Sequence, residues 1–380
     1  MSSLYEEMLE AAKKAVSLDK AGRPKEALEH YMKAASLLIE LSKRAPDPRL
    51  RRIYAEKAET YLARCEQIRE VLSTKSVLEV VSAAEAIKEL PPELAGIVLV
   101  ERPEVSWDDI GGLGEAKRLL KEAIVWPMLK PELFKGPREP WRGVLLFGPP
   151  GCGKTLLAKA VASQCEATFF NVSAAAVMSK WLGESEKNVK ALFDTARKAA
   201  PSVIFIDEVD SLLSMRAADE IGGERRVKTQ FLVELDGLRS RRGENVVVIG
   251  ATNRPWDLDP AVVRRFERRI YVPLPDREAR EEIFKIHLRG VELADDVDLA
   301  ELAELTVGYT GSDIRLVCRE AAMEPVRELM AEAEEPPEGP VELRPVEKAD
   351  FVKALRKIKP VVKPEDVRRY LEWARRFGEA

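Results

Sequence analysis

The chain has 380 residues, of which 46% are hydrophobic, and its 61 basic and 65 acidic residues give a net charge of −4. This length leaves room for two or three domains, and the near balance of charge predicts no general attraction to nucleic acid. No apolar run approaches the length that spans a bilayer, and the N-terminus has no signal-like core, so membrane contact is expected only indirectly. Because the four cysteines lack a metal-ligand spacing, a reducing, cytoplasmic setting is expected.

Residues 1–72 are predicted to form a separate bundle of three helices. Apolar residues recur at helical spacing in three stretches, and turn-forming segments at 22–24 and 45–48 separate them. The three stripes are Leu4, Met8, Ala11, Ala15 and Leu18; Leu28, Tyr31, Ala35, Leu38 and Leu41; and Ile53, Tyr54, Ala58, Tyr61, Cys65, Ile68 and Leu72. Amphipathic helices with short loops predict a small antiparallel bundle. Residues 73–104 are predicted to be a linker with a helix near 77–90.

A phosphate-binding loop follows the pattern G-x-x-x-x-G-K-[ST] at residues 148–155. The apolar run 144–147 before it predicts a buried strand, and the spacing of 156–162 after it predicts a helix. Backbone N–H groups of such a loop surround a phosphate, and the helix N-terminus adds partial positive charge. We predict that Lys154 reaches the β- and γ-phosphates and that Thr155 binds Mg²⁺. The predicted nucleotide contacts of this segment are Gly148, Pro149, Pro150, Gly151, Cys152, Gly153, Lys154, Thr155 and Leu156.

Two further apolar runs predict buried strands that end in polar residues. The run 203–206 ends in Asp207 and Glu208, and the run 246–250 leads to Asn253. Ligands of parallel α/β sheets lie at the carboxyl ends of the strands, so these side chains are expected beside the phosphates. Asp207 is predicted to hold the Mg²⁺ shell and Glu208 to orient the attacking water. Asn253 is predicted to hold that water or to sense the γ-phosphate.

The segments GPPGCGKT, VIFIDEVD, ATNRP and RRFERRI occur in this order, and together they resemble the AAA ATPases, specifically the meiotic clade. That clade contains the ATPase that disassembles ESCRT-III, together with katanin and spastin. The resemblance runs from about Val105 to the C-terminus. It implies an α/β module with a five-stranded parallel sheet at 105–275, a small helical lid with C-terminal helices at 276–380, and a hexameric ring.

The resemblance also assigns roles to residues that the first motifs do not include. Arg264 and Arg265 are implied to reach the nucleotide of the next subunit, where the planar, always charged guanidinium suits phosphate oxygens. Because Gly311-Ser312-Asp313 opens a lid helix, no lid arginine is assigned there. The residues implied to line the base and lid side of the nucleotide site are Asp109, Ile110, His287, Gly311 and Ser312.

A loop at Lys180-Trp181-Leu182 resembles the family loop that projects into the central pore. A tryptophan there can hold any extended polypeptide through its large amphipathic face. Packing of Trp181 against a neighbouring helix is the alternative. Residues 217–224 occupy the position of a second pore loop.

The N-terminal bundle, placed before such a module, resembles a microtubule-interacting-and-trafficking (MIT) domain, which takes short peptides into grooves between its helices. A purely structural cap is the alternative. The segment 334–340 leaves no room for the β-domain of the eukaryotic ESCRT ATPase, which suggests the archaeal cell-division version. The resemblance predicts an ATP- and Mg²⁺-dependent hexamer that binds ESCRT-III-like tails and pulls them into its pore, in membrane scission or cell division. A microtubule-severing ATPase and a nucleotide-gated scaffold without turnover are the alternatives.

Overall fold

A computed structural model describes residues 2–20, 24–44, 47, 49–58, 60–65, 67–68, 98–174, 177, 185–214, 222–240, 244–332 and 343–378. The chain divides into two compact units, Met1–Glu85 and Ala86–Ala380. Within the described part, no helix combines the length and the apolar character that a membrane span requires.

The first unit is a bundle of three helices, as the apolar stripes predict. Helix α1 spans Ser2–Lys20, α2 spans Pro24–Arg44, and α3 is described at 49–58, 60–65 and 67–68. The start of α1 packs on the end of α2 and the end of α1 on its start, so these two helices are antiparallel. Ile53, predicted for the third stripe, is instead 54% exposed, because its neighbour Tyr54 turns toward the core.

The second unit contains a sheet of six strands in the order β1-β3-β4-β5-β2-β6. Its strands are β1 Val98–Glu101, β2 Gly143–Phe147, β3 Thr168–Ser173, β4 Ser202–Asp207, β5 Val246–Thr252 and β6 Arg268–Tyr271. The last five are parallel, as predicted. β1 is an additional edge strand, antiparallel to β3 with Val98 opposite Val172. It lies in the range predicted as linker, so the sheet begins earlier than residue 105.

Helices cover both faces of this sheet because its central strands are buried on both sides. The helices and turns of this layer are α4 Gly114–Leu120, which continues through a π-helical turn at Lys121–Val125 into α5 Trp126–Leu129; α6 Lys154–Gln164; α7 Ser185–Lys198; α8 Val209–Leu213; α9 Gly222–Ser240; α10 Pro260–Arg265; and short 3-10 turns at Trp107–Asp109, Pro131–Leu133 and Pro255–Asp257. One face of the sheet packs against α4 and α6, and the other packs against α7 and α9.

The lid is a group of helices with its own core, in which Phe284 and Phe351 meet edge to face at 6.4 Å. Its helices are α11 Arg277–His287, α12 Leu299–Leu305, α13 Gly311–Ala322, α14 Glu324–Glu332 and α15 Lys348–Lys357. Side chains fix where they begin. Asp276 accepts a hydrogen bond from the Ala279 N–H at the start of α11, and Thr310 forms a capping box with Asp313 at the start of α13.

The last helix, α16 Pro364–Phe377, packs on the large subdomain although the sequence groups it with the lid. Trp373 meets Phe147 at 4.5 Å between ring centroids, at the end of β2. The Tyr370 hydroxyl donates a hydrogen bond to the backbone carbonyl of Asn253 at 2.5 Å. The C-terminal helix therefore lies against the same sheet edge from which the phosphate-binding loop leaves.

Candidate active site

A cavity of about 420 Å³ lies at the carboxyl edge of the parallel strands, between the phosphate-binding loop and the lid. Its wall contains every residue predicted for nucleotide binding except Gly148 and Pro149. It also contains residues that sequence reasoning missed, namely Leu113, Pro273, Pro275, Ile283, Ile286 and Arg315. A usable signal existed for some of these, since Ile283 and Ile286 share a helix face with His287 and the two prolines come shortly after the end of β6.

The phosphate-binding loop needs glycine at two places where other atoms come close. A Cβ on Gly148 would lie 2.1 Å from the carbonyl oxygen of Val272. Gly151 has φ of +73°, and a Cβ there would lie 2.9 Å from the hydroxyl oxygens of Thr310 and Ser312. Both positions therefore exclude a side chain, and the loop keeps the open concave shape that a phosphate group fits.

Lys154 is buried at the base of this loop. Its Nζ donates hydrogen bonds of 2.8 Å to the carbonyl oxygens of Gly148 and Pro149, which explains why those two residues support the site without lining it. Burial lowers the pKa of Lys154 to about 8. The ammonium donates its hydrogen bonds to neutral carbonyls, and the nearby carboxylates of Asp207 and Asp210 do not offset its burial. An added anion would stabilise it further, so this environment fits a polyphosphate.

Thr155 and Asp207 bring two oxygen ligands together as predicted. The Thr155 hydroxyl lies 3.3 Å from Oδ2 of Asp207, to which it donates a hydrogen bond. A hydroxyl and a carboxylate are the hard oxygen donors that Mg²⁺ prefers, so the pair fits the ion that the family implies. When bound there, Mg²⁺ would offset the negative charge of the phosphates.

Glu208 has an unusual backbone conformation for a residue with a side chain, with φ of 50° and ψ of 44°. Its N–H donates to Oδ1 of Asp207 at 3.0 Å, and its exposed side chain lines the cavity. Such left-handed residues persist where surrounding structure holds them, often at active sites. The turn places one carboxylate at the metal position and the next in the cavity, where it can orient and polarise a water molecule.

Asn253 reaches the cavity from the tip of β5, and neighbouring contacts hold that tip in place. The Thr252 hydroxyl donates to Asp210 at 2.6 Å and accepts from the N–H of Arg254 at 2.8 Å. The bond from Tyr370 then fixes the Asn253 carbonyl. The backbone of Asn253 is thus held at the cavity wall, where the sequence predicts that its side chain meets the γ-phosphate or the water.

At the other end of the cavity, Asp109 and Ile110 have largely structural roles. The Asp109 carboxylate accepts hydrogen bonds from the Ser106 N–H at 2.9 Å and from Arg289 at 3.2 Å. Ile110 is buried. His287 lies on the same wall, where desolvation lowers its pKa first and the nearby positive charge of Arg315 lowers it further. This end is more apolar and suits a base.

Gly311 and Ser312 complete the site from the lid, as predicted. The Ser312 N–H donates a hydrogen bond of 3.1 Å to the carbonyl of Gly151. The Thr310 hydroxyl donates to the buried Asp313 carboxylate at 2.9 Å, and this cap fixes the first turn of α13. The lid helix is therefore held directly against the phosphate-binding loop.

Arg264 and Arg265 do not line this cavity. Arg265 is held within its own chain, because Nη2 lies 3.1 Å from Asp236 and Nη1 lies 3.1 Å from the carbonyl of Ala261. Arg264 is exposed at the end of α10. The role of either arginine at a neighbouring site stays a prediction.

The predicted pore loop Lys180-Trp181-Leu182 lies outside the described residues, as do residues 217–221 of the second loop. Both assignments stay predictions.

Comparison with known proteins adds independent information. Residues 144–274 match the model of the ATPase family associated with various cellular activities (AAA), and residues 296–336 match the AAA+ lid domain. A crystal structure of the FIGL-1 AAA domain in complex with ADP has a TM-score of 0.66 and 46% identity, covering 75% of this chain and 94% of that one. The chain belongs to the AAA ATPase family. ATP hydrolysis is accordingly its chemistry, which disfavours a scaffold without turnover.

The flanking regions match two further models, the MIT domain at residues 6–70 and the Vps4 C-terminal oligomerisation domain at 330–378. The katanin p60 subunit A1 of Arabidopsis thaliana is 48% identical over 295 residues, which are 74% of this chain and 56% of that protein. Spastin of Anopheles gambiae is 48% identical over 301 residues, 77% of this chain and 36% of that protein. This chain thus spans about half the length of the katanin subunit and less than half the length of spastin.

Replacing Glu208 by Gln should abolish turnover while ADP and ATP still bind, because the amide keeps the shape but cannot polarise water. We expect hydrolysis to fall by a factor on the order of 10²–10⁴. Phosphate release and nucleotide affinity measure the two effects, and Glu166→Gln, which lies away from the cavity, is the control. Near-normal phosphate release by Glu208→Gln would show that Glu208 is not the catalytic carboxylate.

Nucleotide affinity should decrease as the pH rises above about 8, which is the pKa of Lys154 in the protein without nucleotide. Bound phosphate stabilises the charged ammonium, so the complex has a higher pKa and takes up a proton on binding. Linkage then predicts a loss approaching about tenfold per pH unit above this pKa. Calorimetric titration with ADP between pH 7 and 9.5 measures it. A constant affinity across this pH range for the parent protein would contradict the role of Lys154 in phosphate binding. In Lys154→Arg the side chain stays charged, so its affinity should not change with pH.

Proposed function

We propose that this AAA ATPase is a hexameric motor that disassembles ESCRT-III-like polymers by pulling their subunits into a central pore, in membrane scission or cell division. The observation that carries the proposal is the combination of flanking domains. One chain has an MIT match before its ATPase module and a Vps4 oligomerisation match after it. The first supplies a peptide-binding bundle and the second a ring contact. The archaeal cell-division form of such a motor is the version we favour.

The surface of the N-terminal bundle supports peptide capture. Leu9 and Val16 on α1 are 40% and 37% exposed, and Met32 and Ile39 on α2 are 43% and 39% exposed. A spacing of seven residues places each pair on one helix face, two turns apart. An amphipathic tail can cover such apolar rows, and we propose that an ESCRT-III-like tail does so.

The position of Arg264 supports a ring in which each subunit contributes an arginine to the nucleotide site of its neighbour. It is exposed at the end of α10, and the cavity of its own chain does not include it. A head-to-tail contact between subunits closes into a ring, and an arginine entering a neighbouring site can stabilise charge in the transition state. The C-terminal oligomerisation match is consistent with this arrangement.

Trp181 is the residue that we propose transmits force to the substrate. Its loop is predicted between β3 and α7, and Trp181 is not among the residues predicted for the nucleotide site. An aromatic side chain offers a large contact area without reading a particular sequence. Mutation of Trp181 would therefore weaken the hold on the substrate polypeptide without affecting ATP hydrolysis.

Microtubule severing is the second candidate, because katanin and spastin are among the relatives. The linker disfavours it. Residues 73–100 contain two lysines and four glutamates, a net charge of −2, whereas the severing relatives that the motifs resemble usually carry basic tubulin-binding segments. An acidic segment would be repelled by an acidic filament surface.

Mixing two inactive variants tests the shared site. Arg264→Ala subunits keep Glu208, and Glu208→Gln subunits keep Arg264, so a mixed ring should regain hydrolysis. Random mixing in equal amounts completes about one site in four. Steady-state phosphate release after mixing measures this, with Arg264→Ala mixed with Arg264→Ala,Glu208→Gln as the matched control. If the productive mixture stays as inactive as that control, Arg264 does not act in trans.

Polymer disassembly tests the proposed function directly. With ESCRT-III-like polymers, Met32→Ser,Ile39→Ser and Trp181→Ala should each hydrolyse ATP yet fail to release subunits, because one loses capture and the other loses grip. Loss of an anchoring aromatic contact often costs about 2 kcal/mol or more. Sedimentation of the polymer after adding ATP measures release. Leu129→Ser,Leu133→Ser and Trp126→Ala, exposed apolar sites of the second unit, are the matched controls.

Two results would contradict this proposal. One is that Trp181→Ala disassembles the polymers as fast as the parent. That result would favour the alternative in which Trp181 packs against a neighbouring helix. The other is that the parent severs microtubules and leaves the polymers intact, which favours the second candidate.

A further inference from the structure

Arg315 is a cation of the lid that sequence reasoning did not assign to the site. It lies on α13, one turn after Ser312, and lines the nucleotide cavity. Its side chain is exposed. Throughout the described part of the chain it makes no hydrogen bond, ion pair or ring contact, unlike Arg265 or Arg289, which are held by carboxylates. A charge presented to a cavity without an internal partner is available to a ligand.

The position of Arg315 along the cavity follows from its neighbours. Lys154 and the glycine loop form one part of the cavity wall, and the apolar side chains of Ile110, Ile283 and Ile286 form another. Arg315 belongs with this second group, because it lines the cavity near His287, on which its charge acts and which shares a helix face with Ile283 and Ile286. The bond between Ser312 and Gly151 fixes the start of α13 relative to the loop.

We propose that Arg315 binds the base of the nucleotide, with its guanidinium packed against the ring. The guanidinium is planar, weakly hydrated for a cation and suited to stacking on aromatic faces. The surrounding isoleucines exclude water from the other side of such a ring. This inference concerns nucleotide binding alone and is independent of the polymer that the motor acts on.

A contact with the base is the same in the ground state and the transition state, because the reaction takes place at the γ-phosphate. It therefore contributes equally to binding of ATP and ADP and does not change the chemical step. Arg315→Gln should raise the KM for ATP and leave kcat unchanged. A role at the phosphates would instead lower kcat.

The decisive measurement compares a ligand that has a base with one that lacks it. Calorimetric titration of the full chain with ADP should show a loss of about 3- to 30-fold for Arg315→Gln, and titration with inorganic tripolyphosphate should show none. Arg319→Gln, an exposed arginine one turn further along α13 and outside the cavity wall, is the matched control and should affect neither ligand. An unchanged ADP affinity, or equal weakening of tripolyphosphate, would overturn the proposal.

A spectroscopic readout separates a local loss of charge from a damaged fold. The chain has only two histidines, so their imidazole proton signals can be followed through a pH titration. Arg315→Gln should raise the pKa of His287, since it removes one of the two causes that lower it, while the His30 signal serves as the internal reference. Loss of ADP affinity without this movement of His287 would place Arg315 away from the base and contradict the assignment.

Discussion

One backbone hydrogen bond, from the Ser312 N–H to the Gly151 carbonyl, joins the two parts of the ATPase module at the nucleotide cavity. Only glycine fits at position 151, because a side chain would strike the hydroxyls of Thr310 and Ser312. The cavity has walls from both the sheet and the lid, so its shape depends on this close approach. The same contact gives the lid helix a direct mechanical connection to whatever the phosphate-binding loop holds.

The site keeps its reactive groups in environments that are unfavourable without a ligand. The buried ammonium of Lys154 donates its hydrogen bonds to neutral carbonyls, and Glu208 adopts a left-handed backbone conformation. Both arrangements have a free-energy cost that the rest of the fold must meet. The packed strands beneath them, buried on both faces, supply that stability. Preorganised charge and geometry of this kind favour tight binding of phosphate and correct placement of water.

The sequence pattern predicted those features that depend on residues close together along the chain. The phosphate-binding loop, the acids after β4 and the bundle helices follow from spacing and chain order. β1 was missed because a four-residue edge strand is defined by pairing with β3 across the sequence. Arg315 was missed because only folding brings the second turn of α13 into the cavity. Asp109 lies in the cavity wall, but its carboxylate accepts hydrogen bonds from the Ser106 N–H and from Arg289, which the sequence did not indicate.

Helix α16 gives the last part of the chain an influence on chemistry that its position in the sequence does not indicate. Its aromatic side chains lie on the residue that precedes the phosphate-binding loop, and its tyrosine holds the carbonyl of the polar residue at the tip of β5. Attaching a bulky group to this end of the protein, or clipping it with a protease, would therefore disturb the nucleotide cavity itself. Helix α16 therefore helps to hold the nucleotide cavity in shape.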